Sequence, residues 1–412
     1  MTLPAKFVER VLCDLGEAEG RALCAALDGV PPVSVRVNPV KAAPGALPAL
    51  EIAGQVPWCR DGRYLAVRPS FTLDPDFHAG AYYVQEASSQ FVGHLLEGVR
   101  TEGARILDLC AAPGGKTTLY ASLAGPGGLV VANEIDRRRA AVLADNVRKW
   151  GTGNVAVTTC EPRMLGDFEA WRALKPGGTL VYSTCTFNRD EDEGALERML
   201  AWAGDEVAES DEIAVEDAWG IVCGRVGVFR TFRFYPHRAC GEGFFAAVAR
   251  KSFDAGGRVR TPKARRTVFA AADRKTSAEL ARWVREPDRM CFAQVADTFY
   301  AWYAAQADAV RALSEALPVI CSGVALGQVF KGTLKPDPAL ALFDGLNRGA
   351  VPVAELDEAE ALRYLRKQEI AAAGLAEGVN LVCARGRALG FAKRIGARVN
   401  NMYPNSLRII KQ

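Results

Sequence analysis

The chain has 412 residues, enough for two or three domains. Hydrophobic residues make up 49% and charged residues 24%, a balance that excludes a disordered or fibrous protein. The net charge of +3 is too small to establish a nucleic-acid partner, so the distribution of the cations matters more than their sum.

Cysteine and histidine usage indicates the setting of the protein. The 11 cysteines are an odd number without a CxxC pair, which predicts reduced thiols and a cytoplasmic location. The 3 histidines are scattered, so we expect no metal site. No stretch approaches 18 uninterrupted apolar residues, and the N-terminal segment soon turns acidic. We therefore expect neither a membrane span nor a signal peptide.

The first 90 residues predict an α+β region. Residues 1–33 have apolar side chains at helical spacing, and two prolines end the pattern. Residues 34–39 alternate like a short strand that ends at a proline, and residues 85–97 again predict a helix.

The next block, 91–255, alternates apolar runs with helical patterns, which predicts βαβ units and a parallel sheet. We expect strands at 106–109, 129–132, 155–158 and 179–183, and helices at 117–124, 137–150 and 164–174. An acidic run at 205–217 is typical of a solvated loop.

Two basic segments follow. Residues 256–275 carry Arg258, Arg260, Lys263, Arg265, Arg266, Arg274 and Lys275 against one acid, so 256–320 is expected to be a basic linker and helical region, or a phosphate-contacting arm. From residue 378 to the end there are 7 Lys and Arg and no acid, among apolar residues that alternate around glycines. The last part, 321–412, therefore predicts a small β-rich domain.

A glycine-containing turn, Cys110 to Lys116, follows the first strand of the parallel block. A P-loop needs a glycine where this chain has Cys110, and no strand here ends in a magnesium-binding aspartate, which argues against a nucleotide hydrolase. The other interpretation is a doubly wound nucleoside site, in which an acid after the second strand binds ribose hydroxyls. Glu134 lies 19 residues after Gly115, as such a site requires. Spacing alone leaves NAD and S-adenosylmethionine open, although the G-x-G-x-x-G fingerprint of NAD sites is absent.

Six segments, in this order along the chain, resemble one family: YVQEASSQ, DLCAAPGGKTT, NEID, KPGGTLVYSTCT, FYPHRACGEGFFAA and KRIGARVNNMYPNSLRI. The chain is similar to the Sun family of S-adenosylmethionine-dependent RNA cytosine-C5 methyltransferases, and the last two segments point to the RsmF-type branch. The resemblance implies methylation of cytosine C5 in small-subunit (16S) ribosomal RNA. It also implies a Rossmann-like doubly wound sheet of the α/β class, with an N-terminal α+β RNA-binding region and a small C-terminal PUA-like domain.

The resemblance also implies residue roles. The attacking thiol is Cys185, which adds to C6 of the base so that C5 can accept a methyl group. The expected cofactor residues are Cys110, Ala111, Ala112, Pro113, Gly114, Gly115, Lys116 and Glu134, with Glu161 as a stand-in for a third acid after strand 3. The alternatives are a small buried core cysteine for Cys185 and a solvated first-turn lysine for Lys116.

Residues expected to contact RNA are Arg36, Asn38, His237, Arg238, Lys393, Arg394 and Arg398, with an exposed strand residue as the alternative for Arg36. The acid-free tail favours an anionic partner. Chemistry on C5 requires the base out of the stack, so the expected partner is ribosomal RNA with a single-stranded or splayed-out cytosine. Nothing in the sequence demands more than a monomer.

One departure from the family puts turnover in doubt. Family members have a fourth strand that ends in Asp-Ala-Pro-Cys-Ser-Gly, whose cysteine assists release of the adduct, and this chain has no such segment. Its loss would leave a neighbouring strand open or force it to re-pair. Three explanations stay open: a segment missing from this sequence, a true deletion in a catalytically silent RNA-binding relative, or replacement of the second thiol by Cys110 or Cys160.

Overall fold

A computed structural model describes residues 3–43, 46–161, 171, 174–253 and 269–410. It opens with helices α1 (Ala5–Leu15) and α2 (Glu17–Leu27). Gly16 separates them with a φ of +79°, a conformation that favours glycine. The predicted helical segment 1–33 is therefore a pair of helices.

An antiparallel sheet follows in the N-terminal region, with the strand order β2-β3-β1-β4. Its elements are β1 (Val33–Val37), β2 (Ile52–Gln55), β3 (Gly62–Leu65), the short helix α3 (Pro75–His78) and β4 (Tyr82–Val84). Strand β1 is the predicted strand at 34–39, and its inward residues Val35 and Val37 are buried.

The parallel sheet that the sequence predicts comes next, with β7, β6 and β5 side by side. Its elements are α4 (Phe91–His94), β5 (Arg105–Asp108), α5 (Gly115–Ala124), β6 (Leu129–Asn133), α6 (Arg137–Trp150) and β7 (Val155–Thr158). The helix predicted at 85–97 is shorter than expected, since only a 3₁₀ turn and α4 are helical there. We call this sheet the cofactor half.

Strand β8 lies in a different, antiparallel sheet of order β10-β11-β12-β8, with β9 beside β12. Its elements are β8 (Thr179–Thr184), α7 (Glu193–Ala203), β9 (Val207–Ala208), β10 (Val222–Val226), β11 (Phe229–Phe234) and β12 (Phe244–Lys251). Most of the helix predicted at 164–174 lies outside the described residues. We call this sheet the nucleophile half, after the role that the family resemblance implies for Cys185.

The two halves each end in an open strand. Within the described residues, β5 pairs only with β6, and β8 pairs only with β12. Ile106 of β5 and Val181 of β8 nevertheless pack against the same hydrophobic core, while Leu107 on β5 is 38% exposed. An open edge is one of the two results expected from the loss of a central strand.

Residues 270–336 form a five-stranded antiparallel sheet of order β13-β14-β15-β17-β18. The elements are β13 (Ala270–Ala271), α8 (Arg274–Ala281), β14 (Met290–Val295), β15 (Thr298–Tyr303), α9 (Ala307–Ala316), β16 (Val319–Ser322), β17 (Val324–Phe330) and β18 (Thr333–Pro336). Strand β16 instead pairs antiparallel with β7 and extends the cofactor half.

This arrangement corrects the prediction of a basic linker and helical region at 256–320. Where it is described, that segment contributes four strands as well as two helices, and its sheet continues across the predicted boundary at 320/321. The alternation of β14 and β15 places one face against a shared core that includes Ala301 and Tyr303. The cluster of arginines at 258–266 lies outside the described residues.

The last domain is small and β-rich, as predicted. Its elements are α10 (Pro338–Leu342), β19 (Val353–Leu356), α11 (Glu358–Leu365), β20 (Gly378–Ala384), β21 (Arg387–Ile395) and β22 (Arg398–Asn401). The strand order is β19-β20-β21-β22, parallel for the first pair and antiparallel for the others. Across the described parts of the chain, no helix is long and apolar enough to cross a membrane.

Candidate active site

The glycine turn lies between β5 and α5 at the carboxyl edge of the cofactor half. Gly114 has a φ of +114°, and a Cβ there would lie 3.1 Å from Leu143, so glycine suits this position. Helix α5 begins at Gly115 without a side-chain cap, which leaves its first N–H groups available to a ligand. The turn therefore offers close backbone approach and unpaired donors.

An acidic side chain lies at the same edge, at the end of β6. The Glu134 side chain is only 4% exposed, and its Oε1 accepts from the Asp136 N–H at 3.1 Å. Its Oε2 lies 3.3 Å from Nη1 of Arg139, which also donates from Nη2 to the Ala112 carbonyl at 3.1 Å. Because β5 and β6 are parallel, the turn and this carboxylate are neighbours, and together they fit a nucleoside cofactor.

Three further residues belong to this edge. Asp108, at the end of β5, accepts from the Thr117 hydroxyl at 2.7 Å, and burial raises its pKa. Sequence reasoning assigned no role to this residue, although it is the first residue of the DLCAAPGGKTT segment. The Cys110 side chain is exposed, but neighbouring protein atoms limit the hydration of its thiol and raise its pKa. Glu161 is exposed three residues beyond β7, on the chain that leaves the same edge.

Cys185 directly follows β8, at the open edge of the nucleophile half. Its side chain is exposed, unlike a core cysteine, yet neighbouring protein atoms limit its hydration and raise its pKa. The charge of Lys116 lowers the pKa of this thiol, whereas Glu86 and Glu242 raise it. The structure thus brings the lysine of the glycine turn and the thiol of the other half-sheet to one place.

Glu86 joins two of the motif segments beside Cys185. Its carboxylate accepts from the N–H groups of Ser88 and Ser89, both at 2.8 Å, and from the N–H of Glu242 at 3.0 Å. A Cβ at Gly241 would lie 2.0 Å from the Ser88 side-chain oxygen, so the loop fits only with glycine there. Glu86 and Glu242 were not singled out from the sequence, although both lie within motif segments.

Arg36 is buried rather than available to RNA, with 2% of its surface exposed. Its Nε donates to Gln85 Oε1 at 2.9 Å, and its Nη2 donates to Thr118 Oγ1 at 2.6 Å and to the Gly115 carbonyl at 3.2 Å. The guanidinium also stacks over Trp150 at 4.4 Å, and burial lowers its pKa to about 10. Arg36 therefore packs against the glycine turn and supports it. This position corrects the expectation that Arg36 contacts RNA.

Three other predicted RNA residues make internal contacts. Asn38 is 1% exposed and donates to the carbonyls of Gly80 and Trp150, so it too is structural. His237 Nε2 lies 2.8 Å from Glu19 Oε2, and Arg238 donates to the same oxygen at 2.8 Å. Helix α2 therefore covers His237, while Arg238 keeps an exposed surface.

The cations of the basic tail fall into two groups, those that form ion pairs and those that are exposed to solvent. Arg385 and Arg387 form ion pairs with Asp76 at 2.9 and 2.7 Å, and these join the C-terminal domain to the N-terminal region. Lys393 and Arg398, on the hairpin of β21 and β22, are exposed.

Arg394 lies between those two cations on the hairpin and is partly buried. It donates to the carbonyls of Leu375 and Gly396, at 2.6 and 2.8 Å. It therefore shapes the hairpin that presents the two exposed cations.

A parallel βαβαβ sheet with this turn and an acid after its second strand is a Rossmann-like site for a nucleoside cofactor. Three family models match the chain: the N-terminal domain of 16S rRNA methyltransferase RsmF at 3–87, 16S rRNA methyltransferase RsmB/F at 96–168 and 168–250, and the methyltransferase RsmF PUA domain at 351–409. The chain belongs to the RsmF-type branch of the Sun family of RNA (cytosine-C5) methyltransferases.

The names of similar proteins agree with this family assignment. Ribosomal RNA small subunit methyltransferase F of Shewanella woodyi is 27% identical, over 91% of this chain and 90% of its own, and that of Shewanella loihica is 28% identical, over 85% and 83%. Among solved structures, a methyltransferase homologue from Pyrococcus horikoshii superposes with a TM-score of 0.51 at 25% identity, covering 60% of this chain and 95% of its own. The structure of NSun6 from the same organism with SFG has a TM-score of 0.50 at 19% identity, covers 60% of this chain and 98% of its own, and shows the fold alone.

The matches also locate the departure from the family. The RsmB/F model matches in two pieces that meet at residue 168, between β7 and β8. The alignment with the Shewanella woodyi protein is 439 positions long, whereas 91% of this chain is about 375 residues. Relatives therefore have segments that this chain lacks, in agreement with the open edges of β5 and β8.

Proposed function

We propose that the protein methylates C5 of cytosine in small-subunit (16S) ribosomal RNA, with S-adenosylmethionine as methyl donor and Cys185 as nucleophile. The observation that carries the proposal is the position of Cys185. It is exposed at the end of β8, where burial raises the pKa of its thiol and the charge of Lys116, from the glycine turn of the other half, partly offsets that rise. Substrate and cofactor would thus meet between the two halves.

The cofactor residues are assigned by what each can bind. The N–H groups at the start of α5 and the small residues from Cys110 to Gly115 allow the cofactor to approach the backbone. Glu134, held by Arg139 and the Asp136 N–H, would accept from the ribose hydroxyls. Glu161 is retained as the acid that follows strand β7. The bound cofactor supplies a methyl group on a sulfonium sulfur.

Cys185 supplies the activation that cytosine needs. C5 is a weak nucleophile, so the thiolate forms a bond to C6 and converts the ring to an enamine, whose C5 can take the methyl group. Loss of the C5 proton and of the thiolate would then restore the aromatic ring. The thiol must first lose its proton, and its raised pKa means that the thiolate is a minor form at neutral pH.

The RNA partner is assigned to the C-terminal hairpin and the exposed edge of the site. Lys393 and Arg398 are exposed cations in a tail without acids, which suits the phosphate backbone. Arg238 adds a cation near the loop that carries Glu242. We further propose that the target cytosine is single-stranded or splayed out, that the protein acts as a monomer, and that it is cytoplasmic.

Transfer of a labelled methyl group to small-subunit RNA tests the proposal. The Cys185→Ser variant should lose transfer by about 1,000-fold or more, because it lacks the thiolate nucleophile. Cys291→Ser is the matched control, since Cys291 is also exposed and lies outside the segments of the site, and it should retain activity. Transfer that survives in Cys185→Ser would overturn the nucleophile assignment, and RNA binding without any transfer would select the silent relative.

Release of the product needs a separate test, because the segment with the second cysteine is absent from this sequence. A chain with Cys185 alone should accumulate an RNA–protein adduct that survives denaturation and needs cofactor to form. The intact mass of the protein from its native source accompanies that assay. A value several kilodaltons above 44.3 kDa would mean that the natural chain has the extra strand–helix unit and turns over. A value of 44.3 kDa would mean a true deletion.

A further inference from the structure

A buried polar network lies directly behind Cys185. Thr184 is the last residue of β8, and its hydroxyl donates to Asp192 Oδ1 at 2.5 Å. Asp192 is fully buried, with 0% of its surface exposed, and lies just before α7. An aspartate at this position usually caps the helix N–H groups, but the Asp192 side chain makes no capping bond. Its carboxylate is used for other contacts.

Arg233 of β11 holds the other oxygen of that carboxylate. Its Nη1 donates to Asp192 Oδ2 at 2.8 Å, and its Nη2 lies 2.8 and 2.9 Å from the two carboxylate oxygens of Glu193. Arg233 is 7% exposed, and its guanidinium lies over the ring of Phe245 at 4.7 Å. The arginine is therefore fixed by two carboxylates and an aromatic face.

Strand register explains why this network bears on Cys185. Arg233 pairs with Phe245, and Phe245 pairs with Thr184, so the three side chains form one row across β11, β12 and β8. Directly opposite residues share a face, and successive residues of a strand point to opposite faces. Fixing Thr184 on the α7 side therefore directs Cys185 to the other side, where Lys116 acts on its thiol.

A gain in the stability of the fold does not explain why such a polar network is buried here. Two charges taken out of water cost free energy that their attraction often fails to repay, and apolar replacements of buried ion pairs are often neutral. A polar row at this place does provide one defined geometry at the end of β8. Tyr182 adds to it, since its hydroxyl donates to the Glu191 carbonyl at 2.5 Å and ties the same loop to the strand.

We propose that Asp192, held by Arg233, is a positioning residue that fixes Thr184 and thereby orients Cys185 toward the cofactor half. The proposal rests on the nucleophilic role of Cys185. The contacts of Asp192 with Arg233 and Thr184 join residues that are 41 and 8 positions apart in the sequence, and neither contact involves the cofactor or the RNA.

A matched pair of variants tests it. Thr184→Val keeps the shape but loses the hydroxyl, whereas Thr184→Ser keeps the donor. We expect Thr184→Val to lower kcat for methyl transfer by about 10- to 100-fold with KM for RNA and cofactor within about twofold, since misplacement of a reacting group acts on the chemical step. Thr184→Ser should stay close to the parent.

Alkylation of Cys185 by iodoacetamide gives a second measurement that needs no turnover. In Thr184→Val the pH midpoint should rise by about half a unit, about threefold in thiolate fraction below the midpoint, because the thiol moves away from Lys116. Exposed Cys291, distant in sequence from the site, is the internal control and should react as before. If Thr184→Val does not fold, Asp192→Asn takes its place, because it removes the charge that Arg233 binds. It should lower kcat and raise the alkylation midpoint in the same direction, and an unchanged kcat and midpoint would overturn the proposal.

The outcomes separate the two proposals. Loss of kcat and a shifted midpoint in Thr184→Val, both absent in Thr184→Ser, support the positioning role. If the folded Thr184→Val variant has an unchanged kcat and an unchanged alkylation midpoint, the positioning role is overturned, whether or not Cys185 is the nucleophile. Transfer that persists in Cys185→Ser would instead overturn the nucleophile, while the alkylation midpoint would still report whether the network orients the thiol.

Discussion

The cofactor half and the nucleophile half are stabilised in different ways. Strands β6 and β7 are parallel and almost wholly apolar, and β16, from 160 residues further along the chain, closes their outer edge. The nucleophile half is antiparallel, and the end of its edge strand depends on Asp192 and Arg233. Apolar packing builds the cofactor half, whereas directional polar contacts define where the nucleophile points.

The difference has a functional side. A cofactor bound through backbone groups tolerates small shifts, because several N–H groups share the contact. A covalent nucleophile does not, since its single sulfur atom must meet C6 of the base at bonding distance. We therefore expect substitutions behind Cys185 to affect the reaction more than substitutions behind Glu134. Substitutions in each half should show this contrast.

Among the substitutions of polar residues, the largest effect on stability is expected from Arg36→Met, which lies against the cofactor half. Methionine has similar bulk, but it leaves Gln85 Oε1 without the donor that it has now and removes one donor from the Gly115 carbonyl, which also accepts from the Thr118 hydroxyl. We expect a loss of about 2 kcal/mol in the free energy of unfolding, by urea titration, with weaker cofactor binding. Arg60→Met, at an exposed position, is the control. A fully stable Arg36→Met would show that the N-terminal region does not support the turn.

The cofactor half could be predicted from the sequence because the signals for its helices and strands lie close together along the chain. The helix at 137–150 and the strand at 155–158 have the predicted bounds, because their apolar periodicity and flanking caps lie within a few residues. The strand β16 beside β7 was missed, since no local pattern names a partner so far away. Arg36 was misjudged for the same reason: alternation cannot show that another domain covers a charged side chain.

The next effect in size is expected from Glu134→Gln. The amide keeps the shape but weakens acceptance from ribose hydroxyls and the contact with Arg139. Bonds to charged groups contribute about 1.5–3 kcal/mol, so affinity for S-adenosylmethionine, by calorimetry, should fall about 10-fold or more. Glu97→Gln, an exposed control beside His94, should bind normally. The same variant should leave alkylation of Cys185 unchanged, and a changed rate would mean that the two halves are coupled.

A smaller effect is expected from Lys116→Met on the pH dependence of Cys185. Alkylation requires the thiolate, so the rate rises with pH through the pKa of the thiol. Burial raises that pKa and Lys116 lowers it, so loss of the lysine should move the midpoint further up, by less than about one pH unit. Lys175→Met, at an exposed position, is the control. A midpoint that stays or falls would place the lysine away from the thiol.

The nucleophile half shows what sequence reasoning could not reach. Cys185 was found because its motif is distinctive, and the strand before it was placed within one residue. The network behind it was not found, because Asp192 lies in a run of charged residues, 189–193, and nothing local links it to Arg233, 41 positions further along the chain. Their pairing depends on the register of β11, β12 and β8, which only the folded chain reveals. The same holds for Glu19, whose contact with His237 spans 218 residues.

The smallest effect is expected from Leu107→Lys on β5, where the two halves face the gap. The side chain is 38% exposed, so a lysine there can reach water, and we expect the free energy of unfolding to fall by less than about 1 kcal/mol. The control is Val130→Lys on β6, which is 0% exposed and should cost about 3 kcal/mol or more. Both values come from urea titration of the same preparation. Equal losses in the two variants would mean that another strand covers β5 in the folded protein, because only a covered edge makes a charge at Leu107 as costly as one in the core.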